Sequence, residues 1–225
     1  MGIDPARKLA WLHEFRMNGF VVLRNFLPPD FVVQLHEDLK PLLEIEYRKE
    51  SESGWSRGRA PFRLALDVAR FAGLVRGALA DDLFQRNPQI EELVDAILGS
   101  WRRGWTQVEV PWKGSGHMAW HTDLKPNEVP NPAGHHEVVR VTYNIPLVDF
   151  TWSNGAIELL PGSHLLPHGF WDGKDIRTIQ VYPIRPELRR GDALLRDSAT
   201  LHRGTPNLED VPRPMLDQTY KKNLS

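Results

Sequence analysis

In the first hundred residues, four segments carry apolar side chains three or four positions apart, which is the spacing of one helix face. A stop at Asn18-Gly19 and a start at Asn87-Pro88 are typical of helix ends. One short apolar run, from Phe20 to Leu23, has the length of a strand instead. The pattern therefore predicts a mainly helical first half. The predicted helices span residues 5–18, a stretch that opens at 28–30, 63–80 and 87–99.

After residue 100 the pattern changes to short apolar or alternating runs separated by turn residues. Seven such runs predict strands over residues 105–110, 117–123, 138–147, 156–160, 179–184, 193–197 and 215–220. This number of short strands is typical of a double-sheet jelly roll or barrel. We predict an α+β fold in which helices from the N-terminal half pack on the larger sheet. The length fits a single domain over 1–225, with 1–100 as mainly helical support and 101–225 as the jelly-roll core.

The composition narrows the range of functions. The 225 residues include no cysteine, which excludes disulfide scaffolds, zinc–thiolate sites, iron–sulfur clusters and thiol catalysis. The net charge of −1 disfavours a general nucleic-acid or membrane-surface binder. No apolar run approaches the length of a membrane span, and residues 1–8 lack the apolar core of a signal peptide. These features predict a soluble cytoplasmic protein with no nucleic-acid or membrane partner.

The motif Trp120-His121-Thr122-Asp123 lies in a predicted strand, where side chains two positions apart share a face. His121 and Asp123 would therefore project together into the jelly roll. An imidazole and a carboxylate are two of the three ligands in the facial triad of non-haem Fe(II) oxygenases. The pair alone is weak evidence, because a chain with nine histidines is expected to hold such a pair often by chance.

The C-terminal part of the chain holds the side chains that would complete such a site. His202 follows the predicted turn and strand at residues 191–197, and Arg213 precedes the final predicted strand. On neighbouring strands these two side chains can share one pocket. His202 would then be a metal ligand, and Arg213 would form a bidentate pair with the far carboxylate of a dicarboxylate co-substrate.

Four motifs and Arg213 together extend from about residue 18 to residue 220. The motifs are NGFVVLRNFLPPD, AWHTD, NIPLVDFTWSNGAIELLPGSH and GDALLRDSATLHRGTPN. Because it carries these motifs in this order, the chain resembles the phytanoyl-CoA dioxygenase family of Fe(II)/2-oxoglutarate-dependent oxygenases. The resemblance implies a double-stranded β-helix, with His121, Asp123 and His202 as Fe(II) ligands and Arg213 on the C5 carboxylate of 2-oxoglutarate. It also implies hydroxylation of an unactivated C–H bond in a small metabolite, with O2 consumed and 2-oxoglutarate converted to succinate and CO2.

The resemblance directs attention to the strand at 140–147, where relatives often place a co-substrate contact. Alternation puts Arg140, Thr142 and Asn144 on one face of this strand, and the polar face is the expected pocket wall. We therefore predict Asn144 and Thr142 as 2-oxoglutarate contacts. Gln107, on the strand before the metal motif, is predicted to line the same pocket.

Three cations close to the predicted ligands bear on the substrate: Arg196, Arg203 and Lys125. If one of them points inward, the substrate is expected to be anionic, such as a carboxylate, a phosphonate or a CoA ester. Exposure of all three to solvent is an equally good interpretation.

Other functions use the same residues. The same iron site could end in desaturation, cyclisation or epimerisation, because the outcome depends on how the substrate is placed. A catalytically inactive jelly roll that binds a ligand would not need the full set of His121, Asp123, His202 and Arg213. A metal-dependent, oxygen-independent isomerase or hydrolase would have no use for Arg213 at this spacing.

Overall fold

A computed structural model describes residues 2–55, 61–68, 77, 84, 86–125, 128, 136–167 and 181–223. Its largest element is a six-stranded antiparallel sheet with the strand order β1-β6-β4-β8-β3-β2. The strands of this sheet are β1 (Phe20–Leu23), β2 (Arg63–Asp67), β3 (Trp101–Pro111), β4 (Arg140–Pro146), β6 (Ala193–Asp197) and β8 (Met215–Lys222). A second, two-stranded sheet pairs β5 (Ile157–Leu159) with β7 (His202–Gly204). The α+β jelly-roll prediction is confirmed by this arrangement of antiparallel sheets.

Three helices are described, and their ends follow the predicted signals. They are α1 (Pro5–Asn18), α2 (Pro29–Glu52) and α3 (Pro88–Leu98). The Asp4 side chain caps α1 by accepting a hydrogen bond from the backbone N–H of Arg7. The Asn87 side chain caps α3 by accepting from the N–H groups of Gln89 and Ile90. The predicted start at Asn87-Pro88 is therefore a capping interaction, and the cap at Asp4 is a further one that the structure reveals. Within the described residues, no helix is both long and apolar enough to cross a membrane.

The large sheet separates two hydrophobic clusters. Val141, Tyr143 and Ile145 of β4 face the helices and pack with residues such as Leu35 and Leu39 of α2. The opposite face of the large sheet meets the small sheet in a second cluster. Its members are Phe20, Phe150, Ala156, Ile157, Leu159, Leu188, Leu194 and Met215. The polar side chains that share this inner face lie beside the second cluster, and they form the site described below.

Two predicted elements are wrong in the described part of the chain. The predicted helix over 63–80 begins as β2, an edge strand paired with β3. Leu64, Leu66 and Val68 are buried while Ala65 and Asp67 are exposed, so the period is two at this point and not 3.6. Pairing with β3 overrides the wider helical spacing. Most of residues 69–80 lie outside the described residues.

The predicted strand over 117–123 is a bridged segment. Met118 donates its N–H to Gly204 O, and His121 exchanges two backbone hydrogen bonds with His202. The segment advances three residues from Met118 to His121, while β7 advances only two from Gly204 to His202. This mismatch of one residue prevents a regular ladder. In the predicted strand over 179–184, residues 179 and 180 lie outside the described part, and Ile184 forms an isolated bridge with Leu159.

Gly19 provides a test of how the turn between α1 and β1 packs against Thr200 and His164. Its φ is +83°, and a Cβ atom there would collide with Thr200 Oγ1 and His164 Nδ1. Gly54 has a φ of +66°, and no atom lies within 4 Å of the position that a Cβ atom would take there. The variant Gly54→Ala therefore measures the cost of the backbone conformation alone. We expect Gly54→Ala to lower the free energy of unfolding by about 1 kcal/mol, and Gly19→Ala to lower it by about 2 kcal/mol more. Urea unfolding of both variants measures the difference, and equal losses would contradict the packing described.

Candidate metal centre

His121, Asp123 and His202 come together because the segment before Leu124 runs beside β7. His121 and His202 lie opposite each other, and each donates its backbone N–H to the carbonyl of the other at 3.0 Å. Asp123 is held by its N–H, which donates to Ser198 O at 2.9 Å, and by Arg140, whose guanidinium donates to Asp123 O. The backbone therefore fixes where all three side chains begin.

The three side chains point at one another. Asp123 Oδ1 lies 3.7 Å from His202 Nε2 and 4.0 Å from His121 Nε2. One ligand atom from each of the three residues lies within 4.8 Å of the others, which is the spacing expected around a shared cation. Two imidazoles and one carboxylate on one side of an ion form a facial triad, which leaves other positions open.

Each histidine is oriented by its other ring nitrogen. His121 Nδ1 lies 2.9 Å from Ala119 O, and His202 Nδ1 lies 2.9 Å from Thr200 O. A carbonyl can only accept, so both Nδ1 atoms carry a proton and both Nε2 atoms keep a lone pair. Burial, together with the positive charge of Arg196, lowers the pKa of His202 to about 3, so its imidazole is neutral. The donor set therefore fits a divalent cation such as Fe(II).

Asp123 remains ionised despite its environment. Burial alone would raise its pKa, but the charge of Arg196 holds the pKa well below the usual range. Arg196 is buried on the inner face of β6, and its Nη2 lies 2.7 Å from Asp123 Oδ2 in an ion pair. An ionised carboxylate therefore faces the two imidazoles.

Arg213 lies in the same cavity, immediately before β8. It is only 2% exposed, and its guanidinium lies over the Phe150 ring at 4.3 Å from the centroid. Its Nε and Nη1 atoms are buried with no hydrogen-bond partner. Burial and the neighbouring Arg63 lower the pKa of Arg213 to about 9, which leaves it charged at neutral pH. A buried cation with unpartnered donors fits a carboxylate, which a guanidinium binds through charge-assisted hydrogen bonds.

The other predicted contacts occupy different places. Gln107 lines the cavity and donates from Nε2 to Glu109 Oε1 at 2.9 Å. Asn144 is fully buried, accepts from Arg196 Nε at 3.1 Å and donates to Asp217 Oδ1 at 2.6 Å. Thr142 Oγ1 lies 3.1 Å from Ser198 Oγ. The polar face of β4 thus points inward as predicted, but its side chains are bonded to protein groups.

Two charged residues of the cavity were missed in the sequence. Arg63 of β2 is buried, its Nη2 donates to Gly116 O at 2.8 Å, and its Nε has no partner. Arg63 was missed because residues 63–80 were interpreted as a helix. Alternation along β2 would have placed it on the inner face of the sheet. Asp217 lies on β8 opposite Asn144, and alternation along β8 was the available signal.

Three cations were considered as contacts for an anionic substrate, and of these only Arg196 lines the cavity. Arg203 faces the other side of β7, where its Nε pairs with Glu158 Oε2 at 2.6 Å. Lys125 is exposed. The inward cation therefore pairs with a metal ligand of the protein.

Comparison with known proteins agrees with this geometry. Residues 15–215 match the family described as phytanoyl-CoA dioxygenase (PhyH). Dioxygenase aneA of Aspergillus aculeatus is 25% identical over 210 residues, which cover 87% of this chain and 66% of aneA. Multifunctional dioxygenase ausE of Penicillium brasilianum is 30% identical over 168 residues, covering 68% of this chain and 51% of ausE. The chain thus spans about two thirds of the length of aneA and about half that of ausE.

Among solved structures, the non-heme alpha ketoglutarate dependent epimerase SnoN from nogalamycin biosynthesis superposes with a TM-score of 0.69 at 22% identity. The match covers 97% of this chain and 82% of SnoN. A second SnoN structure is a complex with Fe3+, alpha ketoglutarate and nogalamycin RO.

The jelly roll and its two-histidine, one-carboxylate cluster define the class of mononuclear non-haem iron oxygenases. Within that class, the chain belongs to the phytanoyl-CoA dioxygenase family.

The buried carboxyl of Asp217 generates a prediction for the metal-free protein. Burial, and then the nearby Glu109, raises the pKa of Asp217 to about 8, against about 3.9 in an unfolded chain. The folded protein therefore holds a proton that the unfolded chain releases, and the free energy of unfolding falls as the pH rises from about 4 to about 8. Asp217→Asn should remove this contribution, at most about 1.4 kcal/mol per pH unit. Urea unfolding at several pH values, with a chelator present, measures how the free energy of unfolding depends on pH in the wild type and in Asp217→Asn. The same pH dependence in both proteins would contradict the assignment.

Proposed function

We propose that this protein is an Fe(II)- and 2-oxoglutarate-dependent dioxygenase that hydroxylates an unactivated C–H bond of a small metabolite. The observation that carries the proposal is the pairing of two features in one cavity. His121, Asp123 and His202 converge on a common point, and Arg213 presents unpartnered donors beside them. A metal site alone would fit many reactions, whereas a buried unpaired arginine adds a place for a carboxylate.

Each residue has a defined task in this proposal. His121 Nε2, Asp123 Oδ1 and His202 Nε2 would hold the iron, and Arg213 would hold the C5 carboxylate of 2-oxoglutarate. With O2, the iron and the co-substrate would supply the oxidant, and 2-oxoglutarate would be converted to succinate and CO2. The protein orients the ligands through the carbonyls of Ala119 and Thr200 and excludes water around Arg213 by burial. The redox chemistry belongs to the bound groups, while the chain provides position and charge.

The substrate is a small molecule, and relatives such as SnoN suggest secondary metabolism as the setting. An anionic group on the substrate stays a prediction. Arg63 now supports it, because this arginine lines the cavity and has an unpartnered Nε. Arg203 and Lys125 do not support it, because neither faces the cavity.

Epimerisation is the second candidate reaction, and the similarity to the epimerase SnoN favours it. Hydroxylation and epimerisation share the same metal and co-substrate residues. They differ in what happens to the substrate after hydrogen removal, so product analysis separates them.

The proposal is tested by adding Fe(II) and 2-oxoglutarate to the protein without oxygen. A weak visible charge-transfer band should form only when both are present, and exposure to O2 should then yield succinate. His202→Ala should abolish the band and the succinate, because one of three metal ligands is lost. His13→Ala, on the exposed face of α1, should retain both. Failure of the wild-type protein to form the band would overturn the proposal.

Arg213→Lys tests the co-substrate role separately. A lysine keeps the charge but loses the two-donor fork, so we expect the Kd of 2-oxoglutarate to rise about 10- to 100-fold. The Kd of Mn(II), used as a redox-inert substitute for iron, should change little. Calorimetric titrations measure both constants, with Arg102→Lys on the exposed part of β3 as the matched control. An unchanged Kd for 2-oxoglutarate in Arg213→Lys would refute the assignment.

A further inference from the structure

Arg196 is positioned to control how Asp123 binds a metal. It is 3% exposed, and it reaches two partners on the inner face of the large sheet. Its Nη2 lies 2.7 Å from Asp123 Oδ2, and its Nε donates to Asn144 Oδ1 at 3.1 Å. A buried arginine is expensive to desolvate, so its retention beside a metal ligand calls for an explanation.

The orientation of Arg196 is itself fixed. A guanidinium only donates hydrogen bonds, so the Asn144 atom that faces it must be the amide oxygen. The Asn144 nitrogen then donates to Asp217 Oδ1 at 2.6 Å, on the neighbouring strand β8. A chain of polar contacts therefore runs from Asp217 through Asn144 and Arg196 to Asp123. Because strands β8, β4 and β6 carry three of its members, this chain is rigid.

The two carboxylate oxygens of Asp123 have different neighbours. A carboxylate can give a metal ion one oxygen or both. Here Oδ2 is held by Arg196, while Oδ1 is the atom that faces His121 Nε2 and His202 Nε2. We propose that Arg196 is a positioning residue that restricts Asp123 to binding the metal through Oδ1 alone.

This inference rests on the proposed function for its chemical meaning. A six-coordinate ion with three protein ligand atoms has three positions left. A 2-oxo acid that chelates through its keto and carboxylate oxygens takes two of them, and one remains for O2. If Asp123 also bound through Oδ2, the co-substrate would fill the site and no position would remain. Arg196 would therefore preserve the position that oxygen requires.

The test counts the exchangeable positions directly, in the absence of 2-oxoglutarate. The relaxation rate of water protons per bound Mn(II) increases with the number of water molecules on the ion. Wild-type protein should show about three waters, and Arg196→Gln about two, because Oδ2 becomes free to bind. The Kd of Mn(II) should also fall at least about threefold in Arg196→Gln, because a neighbouring positive charge is removed.

Arg203→Gln is the matched control. It removes the same charge one residue away from His202, but on the side of β7 that faces away from the cavity, where Arg203 pairs with Glu158. We expect its water count and its Mn(II) Kd to equal those of wild type. A purely structural role of Arg196 would instead weaken Mn(II) binding and leave the water count per bound ion unchanged, and that result would overturn the proposal.

A measurement on the wild-type protein keeps the inference testable if Arg196→Gln does not fold. About two waters per Mn(II) in the wild type would mean that both oxygens of Asp123 bind, and would overturn the proposal. The proposed function is tested by adding 2-oxoglutarate to the same sample. If the wild type shows about three waters that 2-oxoglutarate does not displace, the co-substrate assignment fails while the role of Arg196 stands.

Discussion

Two reciprocal backbone hydrogen bonds between His121 and His202 are the constraint on which the site depends. They join a segment that follows the long strand β3 to the short strand β7, and they set the two imidazole rings 4.4 Å apart. Asp123 follows two residues later and is fixed by its own bonds to Ser198 and Arg140. Main-chain hydrogen bonds therefore position all three candidate ligands, which is the kind of preorganisation that a catalytic centre requires.

The large sheet provides the second level of organisation, because one face packs and the other carries the chemistry. On β4, Tyr143 faces the helices while Asn144 lies on the inner face, bonded to Arg196 and Asp217. The same alternation on β8 buries Leu216 against the helices and turns Asp217 inward. Hydrophobic burial on the helical side stabilises the sheet. The strands can therefore tolerate a cluster of buried charges on the inner face, where each charge would otherwise be destabilising.

Much of this arrangement was predictable from the sequence, and the exceptions have physical causes. The His-x-Asp pair, His202 and Arg213 were identified because they lie in an ordered series of motifs that resembles a known family, whereas the pair alone is weak evidence. Arg63 was missed because Leu64 and Val68 fit a helix as well as a strand, and the pairing with β3 that decides between them is a long-range interaction. The pairing of Arg196 with Asp123 was beyond sequence reasoning, because it depends on which side of β6 faces the cavity and on the distance between two separate segments. Asn144 shows an intermediate case, since its face was predicted but its partners were not.

A crystal structure of the protein grown without oxygen, with Mn(II) and 2-oxoglutarate, tests the central claim most directly. The account predicts one cation bound by His121 Nε2, Asp123 Oδ1 and His202 Nε2, with the far carboxylate of 2-oxoglutarate bound to the guanidinium of Arg213. Density for the cation at another set of side chains, or for the co-substrate carboxylate away from Arg213, would contradict it.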